Sequence, residues 1–199
     1  SPLRGTAKAF LLQRRRCGYI LLWIIAAPEV IKMEMESLRH PFPAIYAPDS
    51  RILILGSFPS VKSREQRFFY GHPQNRFWRV MAALLGADVP QTVAEKRAFL
   101  LANHIALWDV IASCDIAGSS DASIRNAVPN DLTPILETAC IRQIFTNGGT
   151  AHRLYRKYIY PLTGREDAVL PSTSPANAAR SLDALINAWQ PVCEALEEE

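Results

Sequence analysis

Residues 51–78 read RILILGSFPSVKSREQRFFYGHPQNRFW, and three kinds of backbone follow one another in it. Ile52, Leu53, Ile54 and Leu55 form a short apolar run rich in β-branched residues. Such a run predicts a strand buried on both faces, the usual state in a parallel sheet. Gly56-Ser57 ends it and Pro59 prevents its continuation. Ser60 to Gln74 reads as a polar and aromatic loop. From Asn75 the pattern NRFWRVMAALLG predicts a helix, because Phe77, Met81 and Leu84 lie three or four apart and Gly86 supplies a stop. A strand, a polar loop and a helix in that order place functional groups at the carboxyl end of a sheet, where open α/β folds bind ligands.

Outward from this unit the same alternation recurs. His40 to Ser50 is a proline-punctuated lead-in. Thr92 and Glu95 have capping-box spacing and open a second helix. HIALWDVI (104–111) reads as the second strand, and 112–131 as a polar loop on the ligand side or at the surface. Thr133-Pro134 reads as N-cap and first position of a short helix. IRQIFT (141–146) is the third strand, Asn147-Gly148-Gly149 turns into a helix over 150–160, and 168–170 is a short fourth strand. PSTSPANA (171–178) is the loop after it, and the last helix, 181–189, is bent or ended at Pro191. Four strands alternating with helices predict an α/β fold, with a parallel sheet and helices on both faces. The loops 56–74, 109–131, 147–149 and 171–177 then gather at one end and form one site.

The chain has 199 residues, 49% of them hydrophobic and 21% charged, which suits one α/β domain with a sizeable core. Its formal charge of +3 is set by the first 32 residues, where Arg4, Lys8, Arg14, Arg15, Arg16 and Lys32 face Glu29 alone. The remainder is slightly acidic, so any case for nucleic acid rests on local clusters. Residues 1–35 read as a non-essential N-terminal extension and 36–199 as the domain. Within the extension Arg14–Arg16 precede CGYILLWIIAA. That apolar run is too short for a membrane span, which takes roughly 20 residues. It fits the basic and apolar regions of a signal peptide, an extra helix, or a stretch upstream of a start at Met33 or Met35. The cysteines at 17, 114, 140 and 193 include no CxxC pair. A zinc or iron–sulfur site therefore has no support, and a reduced, cytoplasmic protein is expected.

Several residues carry two readings each. Gly56, Ser57, Phe58, Pro59 and Ser60 are either a strand-ending turn or a loop that brings backbone N–H groups to a ligand. They are not a nucleophile elbow, since Val61-Lys62 follows where GxSxG needs glycine. Phe68, Phe69 and Tyr70 either plug the core or offer a stacking surface for a planar ring. Asn75 is a helix cap or an amide that holds water and a ligand together. His72 is an acid–base group or a turn residue, and Asp109 a base or a turn residue. Lys62, Arg64, Arg67, Arg76 and Arg79 around the first loop, and Arg153, Arg156 and Lys157 on the third crossover helix, are solvated faces or phosphate contacts. Ser172, Thr173, Ser174 and Asn177 form a helix-capping segment or a loop that hugs phosphates. Asn147, ending the third strand, is a weaker candidate.

With GSFPS at 56–60, YGHPQNRFW at 70–78 and STSPAN at 172–177, each after its strand, the sequence resembles the uracil-DNA glycosylase superfamily. It looks most like the hypoxanthine-DNA (DNA-deoxyinosine) glycosylase branch, over roughly Pro43 to Trp189. The resemblance implies a three-layer α/β/α sandwich around a four-stranded parallel sheet. It implies a monofunctional enzyme that flips a deaminated base from double-stranded DNA and hydrolyses its glycosidic bond, with no metal or cofactor. A monomer without membrane attachment suffices for that task. Phe58 stands where most branches carry Asp or Asn, and Ser172 where the best-known branch carries His, so strong uracil excision is not expected. Asn75 matches the asparagine that takes over catalysis in the hypoxanthine branch. On this reading Gly56, Ser57, Phe58, Phe69, Tyr70 and Asn147 form the base pocket. Ser60, Lys62, Arg64, Ser172, Thr173, Ser174 and Asn177 contact DNA. The alternatives are a glycosylase for uracil or xanthine, a non-catalytic DNA- or nucleotide-binding module, and a hydrolase using Ser57 or Ser60.

Overall fold

The computed structural model describes residues 35–197. The extension expected over residues 1–35 lies, Met35 apart, outside the described residues. Strand β2 (Ile52–Gly56), preceded by the short strand β1 (Glu36–Arg39), is buried along its whole length. It pairs in parallel with β3 (Ile105–Asp109) on one side and β6 (Gln143–Asn147) on the other. Strand β6 in turn pairs with β7 (Asp167–Leu170), which gives the order β3-β2-β6-β7. This is the four-stranded parallel sheet that the apolar runs predict.

Both faces of the sheet are covered because β2 is apolar at every position. Ile52 and Ile54 point to one side, into a core with Phe77, Trp78 and Met81 of α2 (Phe77–Leu84) and Leu100 of α3 (Val93–Ala102). Leu185 of α7 (Leu182–Ala188), Trp189 and Val192 of α8 (Pro191–Glu197) complete that side. Leu53 and Leu55 point to the other, toward Ile135 of α4 (Thr133–Thr138) and Leu154 and Tyr155 of α5 (Gly149–Tyr158). The period-2 alternation of a strand thus splits one apolar run between two cores.

Several elements differ from the sequence reading. The segment 60–74 is not all loop. It holds α1 (Val61–Gln66), capped by the Ser60 hydroxyl, which accepts from Ser63 N. Only Ser63 of that helix is buried, so no apolar periodicity announces it. The second strand ends at Asp109, not 111. The segment 112–131 is largely structured: β4 (Ile111–Ile116) and β5 (Arg125–Pro129) join β1 in an antiparallel sheet, order β1-β4-β5. Register shifts around Ser113 interrupt the alternation of Ile111, Cys114 and Ile116, so a bulged strand reads as a polar loop. Thr133 is the first helical residue rather than the cap. The helix expected over 150–160 divides into α5 and α6 (Tyr160–Thr163), with Pro161 in the first turn of α6. Pro191 ends nothing by bending; it starts α8. The capping box on α3 is present as read, with Glu95 N donating to Thr92 Oγ1 and Thr92 N to the Glu95 carboxylate.

The crossing from β3 to β4 matters for the site. Val110 N donates to Gly56 O at 2.8 Å and Ile111 N to Ser57 O at 3.1 Å, so the departing chain stays tied to the first loop. Gly56 and Asp109 are direct partners in the β2/β3 register. A Cβ on Gly56 would lie 2.1 Å from Asp109 Oδ1. Substitution by alanine must therefore displace a buried carboxylate. Gly56→Ala is expected to cost about 1–3 kcal/mol, the range for overpacking. Gly56→Ala with Asp109→Ala is expected to cost less than the sum of the single changes, because the clashing partner is gone. Urea melts of the four proteins measure this, and strict additivity would refute the clash.

Candidate active site

A pocket of about 290 Å³ opens at the carboxyl end of the parallel sheet, at the small end of the range for ligand sites. Its floor is the end of β2 with Asp109 beside it. The Asp109 carboxylate is buried and hydrogen-bonded to His40 Nε2 at 2.8 Å, and Asn130 Nδ2 donates to its backbone oxygen. A buried carboxylate needs such partners to stay in place. His40 arrives from just after β1, as part of the lead-in, and no sequence pattern links it to Asp109.

The aromatic triplet divides as both readings allowed. Phe68 stacks on Trp78 in the core. Phe69 is buried against Phe42 with its centroid 4.7 Å away, and still forms part of the pocket wall. Tyr70 stacks on Phe77 at 4.0 Å and takes a left-handed backbone with φ of 50°. Helix α1 holds the next turn: Gly71 N donates to Ser63 Oγ, and Gln66 Nε2 donates to Gly71 O. The Tyr70 hydroxyl is buried beneath Gly56 with no hydrogen-bond partner. Burial pushes its phenol well above the ordinary tyrosine range, the Asp109 charge adds to this, and the Asn147 amide opposes it. Tyr70 is therefore a neutral O–H donor in the pocket wall. Phe58, with 7% of its surface exposed, supplies a further ring.

Asn75 lines the pocket from the turn ahead of α2. Its Oδ1 accepts from Phe77 N at 3.0 Å, so its side chain caps the first turn of α2 from one residue ahead of the N-cap, Arg76. With Oδ1 engaged by the backbone, the amide has a fixed orientation and Nδ2 remains a donor. Opposite it lies the loop 172–176. Asn147 grips this loop from the end of β6, donating through Nδ2 to Thr173 Oγ1 and accepting from Thr173 N. Gly148, with φ of 101°, allows the close approach, since a Cβ there would lie 2.8 Å from Ser172 Cβ. The hydroxyls of Ser172 and Ser174 each accept a backbone N–H two residues ahead and keep a proton to donate. Arg76 clamps the outside of the loop through its guanidinium, which donates to the carbonyls of Thr173, Ser174, Asn177 and Arg180.

Gly56, Ser57, Phe58, Ser60, Phe69, Tyr70, Asn75, Asn147, Ser172, Thr173 and Ser174 thus meet around one cavity. Lys62, Arg64 and Asn177 do not line it. Lys62 is exposed and pairs with Glu65 at 2.7 Å. Arg64 donates to the carbonyls of Pro59 and Gly118, and Asn177 Nδ2 to Ser172 O. These groups hold the loops in shape. Neither Ser57 nor Ser60 has a histidine partner among the described residues: Ser57 Oγ donates to Asp121 and Ser60 Oγ bonds Ser63. Among those residues no cluster of His, Cys, Asp or Glu could hold a metal ion, and no helix is long and apolar enough to cross a membrane.

Asp121 is the residue that sequence reading passed over. It sits in a short 3-10 turn (Asp121–Ser123) between β4 and β5 and reaches the pocket beside Ser57, whose Oγ lies at 2.9 Å. Burial pushes its carboxyl above the ordinary aspartate range; the Ser57 hydroxyl opposes this, Asp109 adds to it, and Arg153 opposes it. Between the ordinary and the raised value the folded chain binds more protons than the unfolded one. The stability this group contributes is therefore complete in acid and lost as pH rises through the raised value. Wild type is expected to lose stability relative to Asp121→Asn across that interval. Urea melts from acid to neutral pH test this, and parallel stability curves would refute it.

The sequence pattern described as the Uracil DNA glycosylase superfamily matches residues 43–193. A hypoxanthine DNA glycosylase of Methanosarcina acetivorans is 36% identical over 142 residues, spanning 70% of this chain and 89% of that protein. Another, of Methanosarcina barkeri, is 31% identical over 152 residues, spanning 76% and 95%. The solution NMR structure of a uracil DNA glycosylase candidate from Methanosarcina acetivorans superposes with a TM-score of 0.68 at 34% identity, covering 79% of this chain and 97% of that one. The match runs from the lead-in into the final helix and takes in every loop around the pocket, and on that ground the chain belongs to the uracil DNA glycosylase superfamily.

Proposed function

We propose that this protein excises hypoxanthine from DNA, flipping deoxyinosine out of the duplex and hydrolysing its N-glycosidic bond. The observation that carries the reading is the pair of relatives named hypoxanthine DNA glycosylases, which this chain matches along most of their length. The pocket supports it chemically. Cleavage leaves positive charge on the sugar and negative charge on the departing base. Water supplies the hydroxyl that bonds to C1′, and the base takes up a proton. No strong protein nucleophile is required if both charges are stabilised. Nδ2 of Asn75, with its amide oriented by Phe77 N, is the donor for the attacking water or the departing base. Phe58, Phe69 and Tyr70 supply an aromatic wall for the extruded purine.

Asp109 gives this pocket a reason to prefer deaminated adenine. Deamination turns N1 of the purine from a lone-pair acceptor into an N–H donor beside a carbonyl. A carboxylate acceptor held by His40 attracts that N–H and repels the lone pair of undamaged adenine. Ser172 and Ser174, each accepting a backbone N–H and keeping a hydroxyl proton, supply donors for phosphates in this reading.

Duplexes with a single deoxyinosine, uracil or unmodified adenine, treated with enzyme and then alkali, test the reading. Inosine-strand cleavage above uracil, with none at adenine, is the expected result. Asn75→Ala is expected to slow excision about 10²–10³-fold, the loss typical of one charge-stabilising donor. Full activity in that variant would remove Asn75 from the chemistry. Absence of cleavage by folded wild type on the inosine duplex would overturn the assignment.

A further inference from the structure

We propose that the cleft between β5 and α5 is a second DNA-binding subsite, seating phosphates of the strand that flanks the flipped nucleotide; the choice of DNA as occupant rests on the glycosylase reading of the pocket. The cleft holds about 380 Å³ and adjoins the base pocket, because Asp121 lies in the wall of both. Arg125 of β5 and Arg153 and Lys157 of α5 line it. Arg153 and Lys157 stand four residues apart and so share one face of the helix. All three cations are exposed. None has a carboxylate within ion-pair distance among the described residues. Arg125 is held in place by donating to the carbonyls of Ala122 and Ile124, which leaves the rest of its guanidinium for a ligand. The one acid in the wall, Asp121, has its Oδ1 bonded to Ser57 on the pocket side.

The charges nearer the pocket mouth argue the same way. Arg64, Arg67 and Arg76 donate to backbone carbonyls, and Lys62 is paired with Glu65. These four therefore have donors already engaged within the protein, whereas the cleft cations have no ion-pair partner among the described residues. A protein that extrudes a nucleotide must hold the flanking backbone, and phosphate contacts supply most of that hold. Three unpaired cations on two elements, spread along an open cleft that continues from the pocket, suit a polyanionic strand rather than a single small anion.

The test is binding of an inosine duplex across a salt series by wild type, Arg153→Ala/Lys157→Ala, and Arg97→Ala/Arg142→Ala. The last removes equal charge from α3 and from the residue before β6, away from the cleft. Losing two phosphate contacts is expected to lower the log–log salt slope by about 2. The affinity lost between about 50 and 200 mM salt then shrinks by about tenfold relative to wild type. The control pair should leave the slope unchanged. Arg153→Gln/Lys157→Gln, which keeps side-chain bulk, should repeat the effect if the alanine pair folds poorly. A cleft variant whose slope equals that of wild type or of the control would overturn the inference. Excision by wild type is read on the same duplex. Excision with an unchanged slope removes the cleft alone; a lowered slope without excision removes the glycosylase reading and keeps the cleft as a DNA site.

Discussion

The packing of the Asp109 carboxylate against Gly56 is the constraint from which the site follows. A buried carboxylate at the end of β3 is expensive, and here it is held by His40 and by the closeness of a residue with no side chain. The parallel register of β2 and β3 puts the two residues opposite each other. The same pairing sets where β4 leaves the sheet, since Val110 and Ile111 stay bonded to Gly56 and Ser57. The β4–β5 turn is therefore delivered to the pocket, with Asp121 against Ser57. One strand register thus fixes two acids from different parts of the chain within one cavity.

Rigidity of the loops comes from guanidinium donors engaged internally. Arg76 serves four carbonyls of the segment 173–180, and Arg64 two carbonyls on either side of the pocket mouth. A planar guanidinium suits this, because its donors fan out to several acceptors at once. Asn147 closes the arrangement from β6 with two bonds to Thr173, which is wholly buried. The pocket is in this way preformed by backbone carbonyls and amides rather than by large apolar side chains. Its ring faces are the exception, and they are anchored in the core behind them, Tyr70 on Phe77 and Phe69 on Phe42.

The two carboxylates also separate in character. Asp109 sits with an imidazole and opposite a glycine; Asp121 is pushed toward its neutral form by burial, with the charge of Asp109 adding to that. Burial and a neighbouring like charge both disfavour the ionised form, and Asp121 meets both. A pocket with the Asp109 carboxylate, a neutral phenol and an oriented amide presents different faces to a lactam N–H and to a ring lone pair.

The run Ile52–Leu55, the capping box at Thr92 and the turn residues after each strand determined the parallel sheet, its helices and the end at which the loops collect. Those signals are local: apolar periodicity and backbone preference act over a few residues. The same locality made Asn75, Phe58 and the 172–177 segment legible, since each sits next to a strand or helix end. Helix α1, with a single buried residue, and strand β4, with its register shifts, left no periodic trace and needed the folded chain to appear. His40 and Asp109 are 69 residues apart, and Ser57 and Asp121 are 64 apart. Arg76 finds its carbonyls farther still, 97 to 104 residues along the chain. Only tertiary structure decided these pairings, because a side chain's partner across such a distance is set by strand register and packing, and neither is written in the spacing of residues along the chain.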